Sequence, residues 1–132
     1  MTCATALAVT RWVNDTVLPA AEALDDDVRL VRIVHGSTYV CRRRNNQTGG
    51  KISEHALGRA IDILSFGFEG RNPIAVVARA GDGNLAESFQ RAVRGGACLY
   101  FTTVLGPGSD AFHTDHLHLD VLSRKGGYRL CQ

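Results

Sequence analysis

The fold class predicted by the sequence is α+β: a small antiparallel sheet with helices packed on one of its faces. Three observations lead there. Two segments, one near the N-terminus and one after Asn84, repeat apolar residues at helical spacing. Short runs rich in β-branched and aromatic residues, bounded by Gly, Asn, Asp and Ser, read as strands. Two stretches, Ser53–Asp62 and His113–His118, hold four of the five histidines and run into period-two apolar residues. Imidazole and carboxylate are the ligand set of a catalytic zinc, which takes three protein ligands and keeps one position open. The face of the sheet away from the helices is therefore expected to carry the metal ligands.

At 132 residues the chain suits one domain, 1–132, and is too short for two. With 45% hydrophobic and 21% charged residues it has the composition of a soluble globular protein. A net charge of +2 is too small to point to nucleic acid or a membrane surface. No run is long enough to span a membrane. Arg11 interrupts the first apolar run and no basic segment precedes it, so an exported form would already have lost its signal.

Cys3, Cys41, Cys98 and Cys131 are widely spaced with no C-x-x-C pair, which argues against a zinc ribbon or a thioredoxin-like motif. An even number at such spacing fits two disulfides in an oxidising compartment. Cys3–Cys41 with Cys98–Cys131 would tie each terminus to a predicted strand. Four buried thiols are the alternative.

Taken in order, Ala4 to Leu18 fits an amphipathic helix with Ala8, Val9, Trp12, Val13 and Val17 on one face, broken or restarted at Pro19. Asp25–Asp27 reads as a solvated turn, since no EF-hand spacing follows. Val28–Val34 alternates as a half-buried strand, and His35-Gly36-Ser37 turns into a second strand over Thr38–Cys41. Arg42-Arg43-Arg44 precedes a polar, glycine-rich loop; it is either a solvated surface or an anion clamp beside a metal site. Gly58 suits a tight turn into Arg59–Leu64, where Ala60, Asp62 and Leu64 would share one strand face and Ile61 and Ile63 the other. A carboxylate there is costly to bury unless a metal or a cation such as Arg59 compensates it. Residues 65–83 carry little pattern beyond a possible strand at Ile74–Val77. Asn84 caps a helix to about Arg94, with Leu85, Phe89 and Val93 in one stripe and Gly95-Gly96 ending it. Cys98–Leu105 reads as a strand, and a loop through Gly106–Asp110 follows. In His116–Asp120, period two sends His116, His118 and Asp120 one way and Leu117 and Leu119 the other.

Ser53-x-His55-x-x-Gly58-x-Ala60-x-Asp62 followed by His116-x-His118 resembles the zinc peptidases grouped as lysostaphin, D-Ala-D-Ala carboxypeptidase and hedgehog relatives. The chain as a whole is more similar to the bacterial extensin-like C-terminal domain. That resemblance rests on an N-terminal Cys before a Trp-bearing helix, Tyr39-x-Cys41-Arg42-x-Arg44-Asn45, Gly95-Gly-Ala-Cys98, Thr103-Val-Leu-Gly-Pro-Gly108 and His113-x-Asp115-His116-x-His118-Leu-Asp120. His113-x-x-His116-x-His118 also matches penicillin-insensitive murein endopeptidases.

The resemblance implies His55, Asp62 and His118 as zinc ligands, His116 as the catalytic histidine and His113 close by. In carboxypeptidase relatives the base is an acidic residue three before the last ligand, which here is Asp115, so Asp115 and His116 both stand as candidates. An arginine upstream of the first motif stabilises the tetrahedral intermediate in the relatives, and Arg42 is its counterpart. Arg43 or Arg44 would meet substrate carboxylates. The implied activity is hydrolysis of amide bonds in peptidoglycan or related cell-wall peptides by an exported enzyme. Chemically, zinc brings the pKa of bound water towards about 7, and His116 or Asp115 would pass the proton to the leaving amine. Zinc and Arg42 would hold the oxyanion. A non-catalytic wall-binding or signalling module and a closed structural site are the alternatives.

Overall fold

A computed structural model describes residues 1–36 and 51–132. Its elements are α1 (Cys3–Trp12), a π-helical turn (Val13–Val17), α2 (Leu18–Glu22), β1 (Arg29–His35), a 3-10 turn (Glu54–Leu57), β2 (Ala60–Glu69), β3 (Ile74–Ala75), α3 (Leu85–Ala97), β4 (Thr103–Leu105), β5 (Leu117–Asp120) and β6 (Leu130–Cys131). The expected strand at Thr38–Cys41, the arginines Arg42–Arg44 and the Cys3–Cys41 pairing lie outside the described residues.

The α+β class is as expected. Six strands form one open sheet in the order β1-β2-β5-β4-β6, with β3 added to β2. The sheet is mixed rather than purely antiparallel, because β6 runs parallel to β4. Register explains this. Asp120 at the end of β5 and Leu130 at the start of β6 both lie opposite Thr103, so the chain re-enters at the end of the sheet where β4 begins.

Two bulges decide which residues face the helices. The β1–β2 register shifts between Leu30 and Arg32, leaving Val31 exposed and turning both Leu30 and Ile33 to the core. A second shift places Leu64 outside the ladder, so that Ile61, Ile63, Phe66 and Phe68 all pack inward. Strict alternation would have pointed Phe66 at solvent. These bulges also carry β2 on to Glu69, through residues whose sequence shows no period of two.

The N-terminal helix does not stop at Pro19. A proline ring collides with the carbonyl four residues back and offers no N–H. The helix accommodates it by widening to a π-turn, in which the Leu18 N–H bonds the Val13 carbonyl, and then continues to Glu22. Trp12 is fully buried, donates its indole N–H to the Val93 carbonyl at 2.8 Å and meets Phe66 and Phe101 edge to face. Trp12 is thus core, anchoring α1 to α3 and the sheet.

Helix α3 is capped by Asn84, whose side chain accepts the Glu87 N–H at 3.0 Å. It runs through Gly95-Gly96 to Ala97 instead of ending there. At Gly96 a Cβ would sit 2.3 Å from Thr16 Cγ2, so this glycine allows α3 to press against the π-turn. Phe89 and Val93 are buried as expected, whereas Leu85 is exposed. Of the strand expected over Cys98–Leu105, only Thr103–Leu105 forms one. Cys98 instead caps α3 and is bonded to Cys131 in β6, the second of the expected disulfides. Cys3 is exposed and forms no disulfide within the described residues. No described helix is long and apolar enough to cross a membrane.

Candidate metal centre

The first histidine stretch is shaped by local capping. Ser53 accepts the His55 N–H at 3.2 Å and starts the 3-10 turn, and Gly58, at φ 66°, closes it in the left-handed conformation that favours glycine. The Gly58 carbonyl accepts the Thr2 N–H at 2.8 Å and the buried Thr5 hydroxyl at 3.2 Å. The start of α1 thereby holds the turn, and His55 within it is buried to 2% exposure.

The second and third residues are positioned by the sheet. Asp62 on β2 lies directly opposite His118 on β5, so both side chains leave the same face. Their neighbours Ile61, Ile63, Leu117 and Leu119 point the other way into the core. Site and core are therefore the two faces of the same two strands.

His55 Nε2 lies 3.1 Å from Asp62 Oδ1 and 3.2 Å from His118 Nδ1, and His118 Nδ1 is 3.2 Å from Asp62 Oδ1. Four ligands arranged tetrahedrally at zinc bond lengths stand about 3.3 Å apart. The three atoms are thus close to one triangular face of such a tetrahedron, and the group could hold a metal ion. His55 Nδ1 is buried without a hydrogen-bond partner among the described residues, which leaves Nε2 as the nitrogen engaged at the centre.

The electrostatics are those of a site that concentrates one positive charge. Burial works to raise the Asp62 pKa, but hydrogen bonds from His118 and His55 outweigh it and hold the carboxyl well below the usual range. Burial likewise works to lower the His118 pKa, yet Asp120 and Asp62 together push it up to about 9. A metal ion bound through His118 Nδ1 would have to displace the proton that these two carboxylates favour there.

A second layer of dyads surrounds the triangle. His118 donates its far nitrogen, Nε2, to Asp120 Oδ2 at 2.8 Å, the carboxylate–histidine pairing that fixes a ligand's tautomer and ring plane. His116 occupies the bend just before β5; its Nε2 is 3.8 Å from Asp62 Oδ1, while its Nδ1 bonds Asp115 Oδ1 at 2.9 Å. Asp115 itself is 80% exposed. His113 bonds Asp110 Oδ1 at 2.6 Å and packs beside the rings of His116 and His118. Burial lowers the His113 pKa by more than Asp110 restores.

The structure thus brings together His55, Asp62 and His118, with His116 and His113 beside them and Asp115 one hydrogen bond away. Arg42 lies outside the described residues. Sequence reasoning assigned no role to Asp120 or Asp110. Asp120 carried a readable signal, since a carboxylate two residues after a histidine on a strand shares its face. Asp110 carried none, because its loop has no period.

No curated protein and no solved structure matches this chain. The model of the family described as extensin-like protein C-terminus matches residues 1–132. A match over its whole length means that the chain belongs to the extensin-like protein C-terminus family.

Proposed function

We propose that the chain is a zinc-dependent peptidase that hydrolyses amide bonds of peptidoglycan or related cell-wall peptides, and that it acts outside the cytoplasm. The carrying observation is the near-equilateral triangle of His55, Asp62 and His118 with a carboxylate-backed histidine beside it. Two imidazoles and a carboxylate leaving a coordination position open suit catalytic zinc. A zinc ion bound there would supply Lewis acidity and a water of lowered pKa. His116 is the general base in this reading: Nδ1–H is donated to Asp115, which leaves Nε2 to take a proton on the site side and return it to the leaving amine. Asp115, bound to the nitrogen that faces away, orients that ring. His113 and Asp110 wall the site beside His116. The resemblance of the two histidine motifs supports the substrate class and gives Arg42 the role of oxyanion partner. The Cys98–Cys131 bond and the family favour an exported protein.

The test uses the whole chain and isolated peptidoglycan. Wild type should hold about one zinc and release soluble peptides. His118→Ala should lose both properties. His116→Ala should keep its zinc and lose roughly 10²- to 10⁴-fold in turnover. Undiminished hydrolysis by His116→Ala would remove it as the base. A zinc-loaded wild type that sediments with peptidoglycan yet releases nothing would make the domain a wall-binding module instead.

A further inference from the structure

Beyond the triangle, a row of polar side chains runs outward from His118 through Asp120 and Thr103 to Arg124. Thr103 on β4 stands directly opposite Asp120 on β5, so its buried hydroxyl and the carboxylate leave the same face of the sheet and line one cavity. Arg124 donates Nη2–H to Thr103 Oγ1 at 2.7 Å and Nη1–H to the Thr102 carbonyl at 2.8 Å. The Leu122 N–H reaches Asp120 Oδ1 at 3.0 Å.

The direction of these bonds follows from the chemistry of their outermost member. A guanidinium only donates and does not lose its proton. Thr103 must therefore accept from Arg124, which leaves its single hydroxyl hydrogen for Asp120. Asp120 accepts from Leu122, faces the free hydroxyl hydrogen of Thr103 and remains an acceptor towards His118. Once His118 gives up its site-side proton, the hydrogen it keeps is held on Nε2, and the Nδ1 lone pair faces Asp62 and His55. Without Arg124 the Thr103 hydroxyl could rotate its hydrogen elsewhere and set a lone pair against the carboxylate. Arg124 is half-buried at the wall of a cavity of about 210 Å³ that also reaches His55, His113 and His118.

We propose that Thr103 and Arg124 are positioning residues of the metal centre, an outer brace that fixes the orientation and tautomer of His118 through Asp120. This rests on the metal-site reading above. Neither residue touches the ligand triangle, so the brace reads out as metal affinity rather than as chemistry.

The experiment is zinc binding by the full chain, in competition with a chromophoric chelator at about pH 9.5, where little proton competition at His118 remains. Thr103→Val keeps shape and strand preference while removing the hydroxyl. It should weaken zinc binding roughly 5- to 10-fold, below the 10- to 100-fold typical of losing a direct partner. Arg124→Met should do the same, and Thr103→Ser should stay near wild type. Adding Thr103→Val to Asp120→Asn should cost nothing more, because both act on one path. Wild-type affinity in both Thr103→Val and Arg124→Met would overturn the proposal. So would a Thr103→Ser as weak as Thr103→Val, or full additivity with Asp120→Asn. A wild type that binds no zinc would sink the metal-site reading itself, a result separable from all of these.

Discussion

Replacing Asp120 by asparagine tests how far the layer behind the ligands controls the centre. The two carboxylate oxygens are committed separately, Oδ2 to His118 Nε2 and Oδ1 to the Leu122 N–H. An asparagine offers one acceptor oxygen, so it cannot serve both donors. Either a buried N–H is left unpaired, or His118 flips tautomer and points a hydrogen from Nδ1 at Asp62. Loss of such a partner weakens metal binding about 10- to 100-fold, or roughly 1.4 to 2.7 kcal/mol. Protonation opposes this at neutral pH. His118 holds its proton up to about 9, so at pH 7 wild-type affinity should lie about 100-fold below its alkaline plateau. Asp120 contributes to that elevation, and its removal relieves part of the competition. Zinc affinity measured by chelator competition from pH 6 to 10 should therefore rise in the wild type until about pH 9 and level off. The Asp120→Asn profile should level off earlier and lower. Equal plateaus would refute the reasoning, since the asparagine would then orient His118 as well as the carboxylate does.

Three further outcomes follow from the fold. Gly96→Ala should destabilise the protein by about 1 to 3 kcal/mol in a denaturant titration, because the new Cβ meets Thr16. Helix propensity alone would give about 1 kcal/mol of opposite sign, so a stabilised variant would disprove the close packing. Glu87 accepts N–H groups from Gly83 and, less closely, Gly81, and these together with Arg91 hold its pKa below the ordinary value despite an opposing desolvation. A lowered folded-state pKa stabilises above the unfolded value of 4.5 and is lost as pH falls through the folded one. Glu87→Gln should accordingly melt below wild type at pH 7, with the gap closing in acid; a gap independent of pH would contradict this. Removing the Cys98–Cys131 bond, which closes a separation of 33 residues, should cost about 4 kcal/mol by the chain-entropy estimate. Unchanged stability of the Cys98→Ala, Cys131→Ala double variant would argue against it.

The parts of the fold legible in the sequence are those governed by neighbours a few positions away. The buried stripe of α1, the cap at Asn84 and the period of two through His118 and Asp120 are all local patterns, and the structure bears them out. Misreadings arose where a tertiary contact overrode a local rule. Gly95-Gly96 would end an isolated helix, but packing against Thr16 carries α3 through both. Pro19, by contrast, does restart the helix as expected, in the first turn of α2, and only the π-turn that leads into it was unforeseen. Residues 65–69 lack alternation because a bulge resets which side faces the core.

The candidate site divides in the same way. Imidazole and carboxylate chemistry, and the side of the strand from which Asp62 and His118 project, follow from residue type and period. Convergence of the 3-10 turn with two strands into a triangle of 3.1 to 3.2 Å depends on the β2–β5 register. No local pattern encodes that register, because cross-strand pairing is set by the packing of the whole sheet. The same holds for the Thr103–Asp120 pairing that brings Arg124 within reach of the centre. The sequence by itself determined which side chains could bind a metal and which faces they occupy. Tertiary structure alone decided their separations, their hydrogen-bond partners and the orientation of each ring.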